Sequence, residues 1–158
     1  MNRDPIVFGL ANPDPEILPG DAKAAGAAVV ASGRFDFPNH CNNVLAFPAL
    51  MRGALDTSAK RVSLGMCLAG AEAIAACVPP EHGAVDAILP SPLLDDLYPS
   101  VAEAVAQAAV AEGLARRDPG RGAVAANTRR WWKNSGMAIH IALPTSYFDA
   151  LGVPRLAS

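Results

Sequence analysis

The chain has 158 residues, of which 51% are apolar and 18% charged. It is long enough for one buried core, too apolar for a disordered chain, and without the run of about 20 apolar residues that spans a bilayer. Net charge is only −2 and the three cysteines, Cys41, Cys67 and Cys77, have no metal-like or redox-like spacing, which suits a reducing, cytoplasmic setting. In chain order, Ile6–Ala11 reads as a short buried strand stopped by Asn12-Pro13. A two-proline turn follows, then a short helix from Pro19 to Ala25 and a second strand over Gly26–Ala31, ended by Ser32-Gly33. Two strands joined through a helix imply parallel pairing with a crossover.

Further on, Asn42 or Asn43 is placed to cap a helix running through Met51 to Leu55, with a kink at Pro48. Ser63–Val78 predicts a helix terminated by Pro79-Pro80, and Val85–Leu89 a brief third strand. Ser100–Arg116 predicts the longest helix, with Ser100 as N-cap and Glu103 completing a capping box. That helix is apolar over most of its surface and therefore needs cover on more than one side. The expected fold class is α/β: a partial, Rossmann-like, doubly wound domain with two to three parallel strands, fewer than the five or six a complete one carries.

Charge distribution divides the chain. Residues 1–118 hold 8 Lys+Arg against 14 Asp+Glu, whereas 119–158 hold 5 against the single Asp149 and contain both tryptophans. The turn pair Pro119-Gly120 is the natural boundary between a body and an atypical basic tail. Within that tail, Arg129-Arg130-Trp131-Trp132-Lys133 interleaves cations with aromatics. The pattern suits single-stranded nucleic acid, but one cluster favours a solvated or partner-packed tail over a nucleic-acid interface.

In an open α/β sheet, ligands sit beyond the carboxyl ends of the strands. Asn12 ends the first strand and Asn42-Asn43 follow the second. An amide both donates and accepts, so it can hold a carboxamide, carboxylate or hydroxyl. The bland alternatives are a turn residue at Asn12 and a helix cap at Asn42. His40-Cys41 lacks further ligands for a metal site, and His82 has no identifiable triad partner.

The strings PIVFGLANPDPEI, ASGRFDFPN, NNVLAFPALMRGALD and DAILPSPL, with the alanine-rich helix after them, resemble the NAD(P)-binding domain of bacterial malic enzymes, in order over residues 3–118. The resemblance implies the second half of a Rossmann-type domain, with residues 119–158 unlike the family's usual ending. It further implies oxidative decarboxylation of malate to pyruvate with NAD or NADP, and Mg or Mn in the full enzyme. By position, Asn12 matches an asparagine beside nicotinamide and substrate, and Asn42-Asn43 match a pair contacting malate and the nicotinamide end.

The family's catalytic tyrosine and lysine, its metal ligands and its glycine-rich turn have no counterpart here. The isolated chain is therefore expected to be inactive, with no catalytic and no metal residues of its own. Phe35, His40-Cys41 and Ala49 depart from the serine, Gln-Val and glycine usual in the family, and Lys60–Leu68 lacks its acidic helix start. The rival reading is a non-catalytic assembly module, docking on a separately encoded N-terminal part or on itself through the helix Ser100–Arg116, or else a degenerate gene product.

Overall fold

The computed structural model describes residues 2–11, 13–34, 36–79, 85 and 87–135. They form two compact units, a sheet unit up to Asn42 and a helical unit over Asn43–Asn134. In the first, strand β1 (Ile6–Gly9) and strand β2 (Val29–Ser32) pair in parallel, Ile6 opposite Val29 and Gly9 opposite Ser32. Helix α1 (Pro19–Ala24) connects them, packs against β2 and buries Ala22. The crossover and both strands lie where the apolar runs put them. Each strand is shorter than its run because the chain leaves the ladder at Leu10 and enters it only after Ala28. At the third predicted strand, Val85–Leu89, Asp86 lies outside the described residues and its described neighbours carry no ladder.

The helical unit opens with a 3-10 turn (Asn43–Leu45) and helix α2 (Phe47–Asp56). Pro48 does not kink a helix. It stands in the first turn of α2, where its missing N–H has no intrahelical partner to lose. Helix α3 (Leu64–Ala76) starts at Ser63, whose hydroxyl accepts from the Met66 N–H at 3.1 Å, and stops ahead of Pro79 as the sequence requires. Its glycines, Gly65 and Gly70, lie inside the helix and make no phosphate-binding turn.

Helix α4 (Leu97–Ala111) begins a turn earlier than Ser100 and ends before Gly113, which takes φ +66°. It is the centre of the unit: α2 and α3 both pack on it, and Leu97, Val101, Ala102, Val105, Ala106 and Ala109 are fully covered. The expectation that this helix is buried on more than one side therefore holds. The apolar surface that the assembly-module reading took from it is already occupied within the unit.

The capping role foreseen for Glu103 is replaced by another. Its carboxylate accepts from the N–H groups of Gly122 at 2.6 Å and Ala125 at 3.0 Å, at the start of helix α5 (Ala123–Ser135). A carboxylate there meets both the orphan donors and the positive end of the helix dipole. Helix α5 returns onto α4: Val124 and Thr128 are buried, the Trp132 ring lies 4.2 Å from that of Tyr98, and Arg129 bonds Asp96 at 2.7 Å. Within the basic, aromatic cluster, Trp132 and Arg129 thus find partners on α4 and just ahead of it, while Arg130 and Trp131 are exposed. Replacing Glu103 with Ala is expected to cost about 1–2 kcal/mol, read as a lower urea midpoint by tryptophan fluorescence. An unchanged midpoint would show that the cap contributes nothing.

Candidate binding rim at the carboxyl ends of the strands

The rim is built from the loop that leaves β2. Gly33 N–H donates to Gly9 O at 2.9 Å, which brings the exits of the two strands together. A Cβ on Gly33 would run into the carbonyl oxygen of Leu10, so only glycine allows the two backbones to approach this closely. The chain then makes an excursion and folds back on β2. Asn39 N–H to Val30 is made by its side chain, Nδ2 to O at 3.0 Å, while Asn39 O accepts from Ser32 N–H at 3.1 Å. Cys41 N–H closes the loop onto Ser32 O at 2.7 Å.

Asn39 is buried and adopts φ +55°, a left-handed conformation that Asn tolerates better than most residues. It is a rivet that the reading of the sequence missed. The available signal was an asparagine after Pro38, in a loop that has to reverse direction. At the outer side of the loop, Arg34 forks onto Asp36 with bonds of 2.8 and 2.5 Å and lies 5.0 Å over the Phe37 ring. The Arg34 hydrogen bond holds the Asp36 carboxyl below its ordinary range and raises the guanidinium in turn. Burial lowers His40 and raises the Cys41 thiol, so near neutral pH both are uncharged.

The named asparagines fall differently. Asn12 lies outside the described residues. Beside it, the Ala11 N–H donates to Glu16 at 3.1 Å, a bond that also lowers the Glu16 carboxyl. Asn42 is half-buried and donates from Nδ2 to Gly33 O at 3.2 Å, so its amide is held at the carboxyl end of β2. That bond, not a helix cap, is its local role. Asn43 is exposed and opens the 3-10 turn, where its carbonyl accepts from Ala46 N–H. Phe35 and His82 lie outside the described residues. Cys67 is exposed on α3, whereas Cys77 is half-buried.

The chemistry on offer at the rim is hydrogen bonding from amides and backbone, with a self-neutralised Arg34–Asp36 pair beside it. A metal does not fit: among the described residues no group of three or more His, Cys, Asp or Glu side chains comes together. A dinucleotide's pyrophosphate does not fit either. Beyond β1 the first helix begins only at Pro19 and its N-cap, Leu18, offers no side-chain bond. None of the described helices is long and apolar enough to cross a membrane.

Comparison with known proteins shows the family. The family model described as malic enzyme, NAD binding domain, matches residues 1–110. The chain is 48% identical over 130 residues to the bifunctional malic/malolactic enzyme of Bacillus subtilis, covering 82% of this chain and 32% of that protein. It is 46% identical over 118 residues to the NAD-dependent malic enzyme of Geobacillus stearothermophilus, covering 75% and 24%.

Among solved structures, a malic enzyme from Pyrococcus horikoshii superimposes with a TM-score of 0.79 at 46% identity, over 89% of this chain and 32% of that one. One from Entamoeba histolytica does so at 0.75 and 33%, over 94% and 33%. This chain spans about a third or less of the length of these relatives. A match of 130 residues cannot be housed within residues 1–118, so the likeness runs into the segment that composition set apart. With the family model matching residues 1–110, the chain belongs to the malic enzyme NAD binding domain family.

Proposed function

We propose that this chain forms one wall of a site for malate and the nicotinamide end of NAD or NADP, with Asn12, Asn42 and Asn43 as the wall's polar contacts. The observation that carries the reading is the Asn42 amide, fixed by its bond to Gly33 O at the carboxyl end of β2, in a chain of this family. Relatives include both NAD-dependent and NADP-dependent malic enzymes. A nicotinamide, when bound, would supply the hydride acceptor for oxidative decarboxylation. The work assigned to this chain is positioning: the amides hold carboxylate, hydroxyl or carboxamide in register without exchanging a proton. The base, the acid and the metal ligands come from sequence not present in these 158 residues.

A graft tests the wall. Residues 3–118 replace the matching segment of the Bacillus subtilis relative, and malate-dependent reduction of the cofactor is followed. Asn42→Ala or Asn43→Ala in the graft is expected to lower kcat/KM about 100-fold, the scale set by loss of substrate positioning. A graft that works equally well without either amide would remove both residues from the site.

A further inference from the structure

The two edges of β2 have different partners. Val29 N–H donates to Pro5 O and Gly33 N–H to Gly9 O, both on the β1 side. Val30 and Ser32, which alternate with them, turn their groups to the edge away from β1, where no further strand pairs among the described residues. An open edge leaves a row of backbone groups to satisfy. Here the returning loop fills it. Asn39 Nδ2 donates to Val30 O at 3.0 Å, Asn39 O accepts from Ser32 N–H at 3.1 Å, and Cys41 N–H donates to Ser32 O at 2.7 Å. The Asn39 side-chain amide thus stands in for a ladder N–H, and a parallel bridge between Ser32 and His40 carries the edge on. Asn39 and Ser32 are both buried, so water does not compete for these bonds. Three residues beyond Asn39, the Asn42 amide reaches Gly33 O.

We propose that Asn39 is the positioning residue of the rim: by pinning the returning chain to β2 it sets where the Asn42 amide stands, without touching a ligand itself. This rests on the reading of Asn42 as a contact of the malate and nicotinamide wall. Two anchors fix that amide. One is Gly33 O, whose residue is tied to Gly9 O and lies close against Leu10 O. The other is the Asn42 backbone, placed by the bonds of Asn39 and Cys41 to β2. Of those three bonds one comes from a side chain, so a substitution at Asn39 loosens the second anchor and spares the first. The return then slides along the edge of β2 and carries Asn42 with it. A misplacement of about 1 Å is enough to cost about 100-fold where rate depends on orientation.

Asn39→Gly keeps the left-handed backbone and Asn39→Asp keeps the size, while both remove the donor. Hydrogen exchange of side-chain amides, followed by NMR on the 158-residue chain without ligand, tests the geometry. The Asn42 NH2 is expected to exchange at least about tenfold more slowly than that of the exposed Asn43, and to reach the Asn43 rate in both Asn39 variants. Equal rates at Asn42 and Asn43 in the unaltered chain would overturn the proposal even where a variant fails to fold. In the graft, Asn39→Gly is expected to lower kcat/KM at least about tenfold. In the Asn42→Ala background it lowers it less than about twofold, because an amide already removed cannot be misplaced. A merely structural role would lower both backgrounds equally. Equal losses with Asn42→Ala still costly would leave the wall standing and overturn the role of Asn39. A harmless Asn42→Ala would remove the wall itself, and this role with it.

Discussion

Gly53→Val is expected to lower stability by about 3 kcal/mol, close to the loss of the helical unit. Helices α2 and α4 touch backbone to backbone at this point: a Cβ on Gly53 would stand 2.6 Å from Ala102 O and 2.8 Å from Val105 Cβ. Two terms compete in the milder change to Ala. Helix propensity favours Ala over Gly by about 1 kcal/mol, whereas forced overpacking costs about 1–3 kcal/mol. The nearest atom is a carbonyl in the middle of α4, which cannot swing aside, so overpacking wins. Gly53→Ala is therefore destabilising by about 1 kcal/mol, with the larger β-branched side chain worse.

The same crossing is bracketed by bonds that leave α2 little room to retreat. Thr57 donates its hydroxyl to Gly53 O at 2.9 Å, and Arg116 and Arg117 both donate backbone N–H groups to Thr57 O. The partly exposed Arg52 also pairs with buried Asp56 on the same helix. Gly20 is the control, since a Cβ there meets nothing within 4 Å. Gly20→Ala, in α1, is expected to be neutral or stabilising by about 0.5 kcal/mol. Urea denaturation followed by circular dichroism separates the two glycines. Equal effects at both would mean that α2 and α4 are not in backbone contact.

Much of the fold was legible because local signals and burial agreed. Two apolar runs separated by Pro19–Ala24 gave the parallel pair, and Ser63 with Pro79 bounded α3 to within two residues. Alanines all round Val101–Ala109 announced a helix covered on several sides. What misled were side chains whose partners lie far along the chain. Glu103 has the spacing of a capping box with Ser100, yet its partners are 19 and 22 residues on. Arg129 and Trp132 looked like a separate basic tail because composition says nothing of Asp96 and Tyr98, about one helix away in space.

At the rim, Asn42 stood out through its neighbours and the family resemblance. Asn39 did not, because its work is a buried bond to Val30 O that no spacing rule describes. Pro48 was misjudged for a positional reason: a proline disrupts a helix interior and fits its first turn, and the break ahead of it moved it from one to the other.

The proposal to be tested is that this chain positions malate and cofactor while the catalytic groups come from other sequence. Tyr98 is buried against Trp132 in the helical core. Lys60 is exposed, with its ammonium 3.4 Å from Gly113 O. No group of three or more metal-ligating side chains comes together among the described residues. Proton transfer typically contributes 10²–10⁴-fold to such a reaction, and metal polarisation of a forming carbonyl adds several kcal/mol more; the proposal assigns neither to Asn42 or Asn43.

The measurement is the absorbance of NADH or NADPH at saturating malate with Mg or Mn, using the pure 158-residue chain beside the grafted relative under the same conditions. The account predicts no malate-dependent signal from the chain alone, and turnover from the graft that falls when Asn42 or Asn43 is replaced. Steady malate-dependent production of reduced cofactor by the pure chain would contradict it.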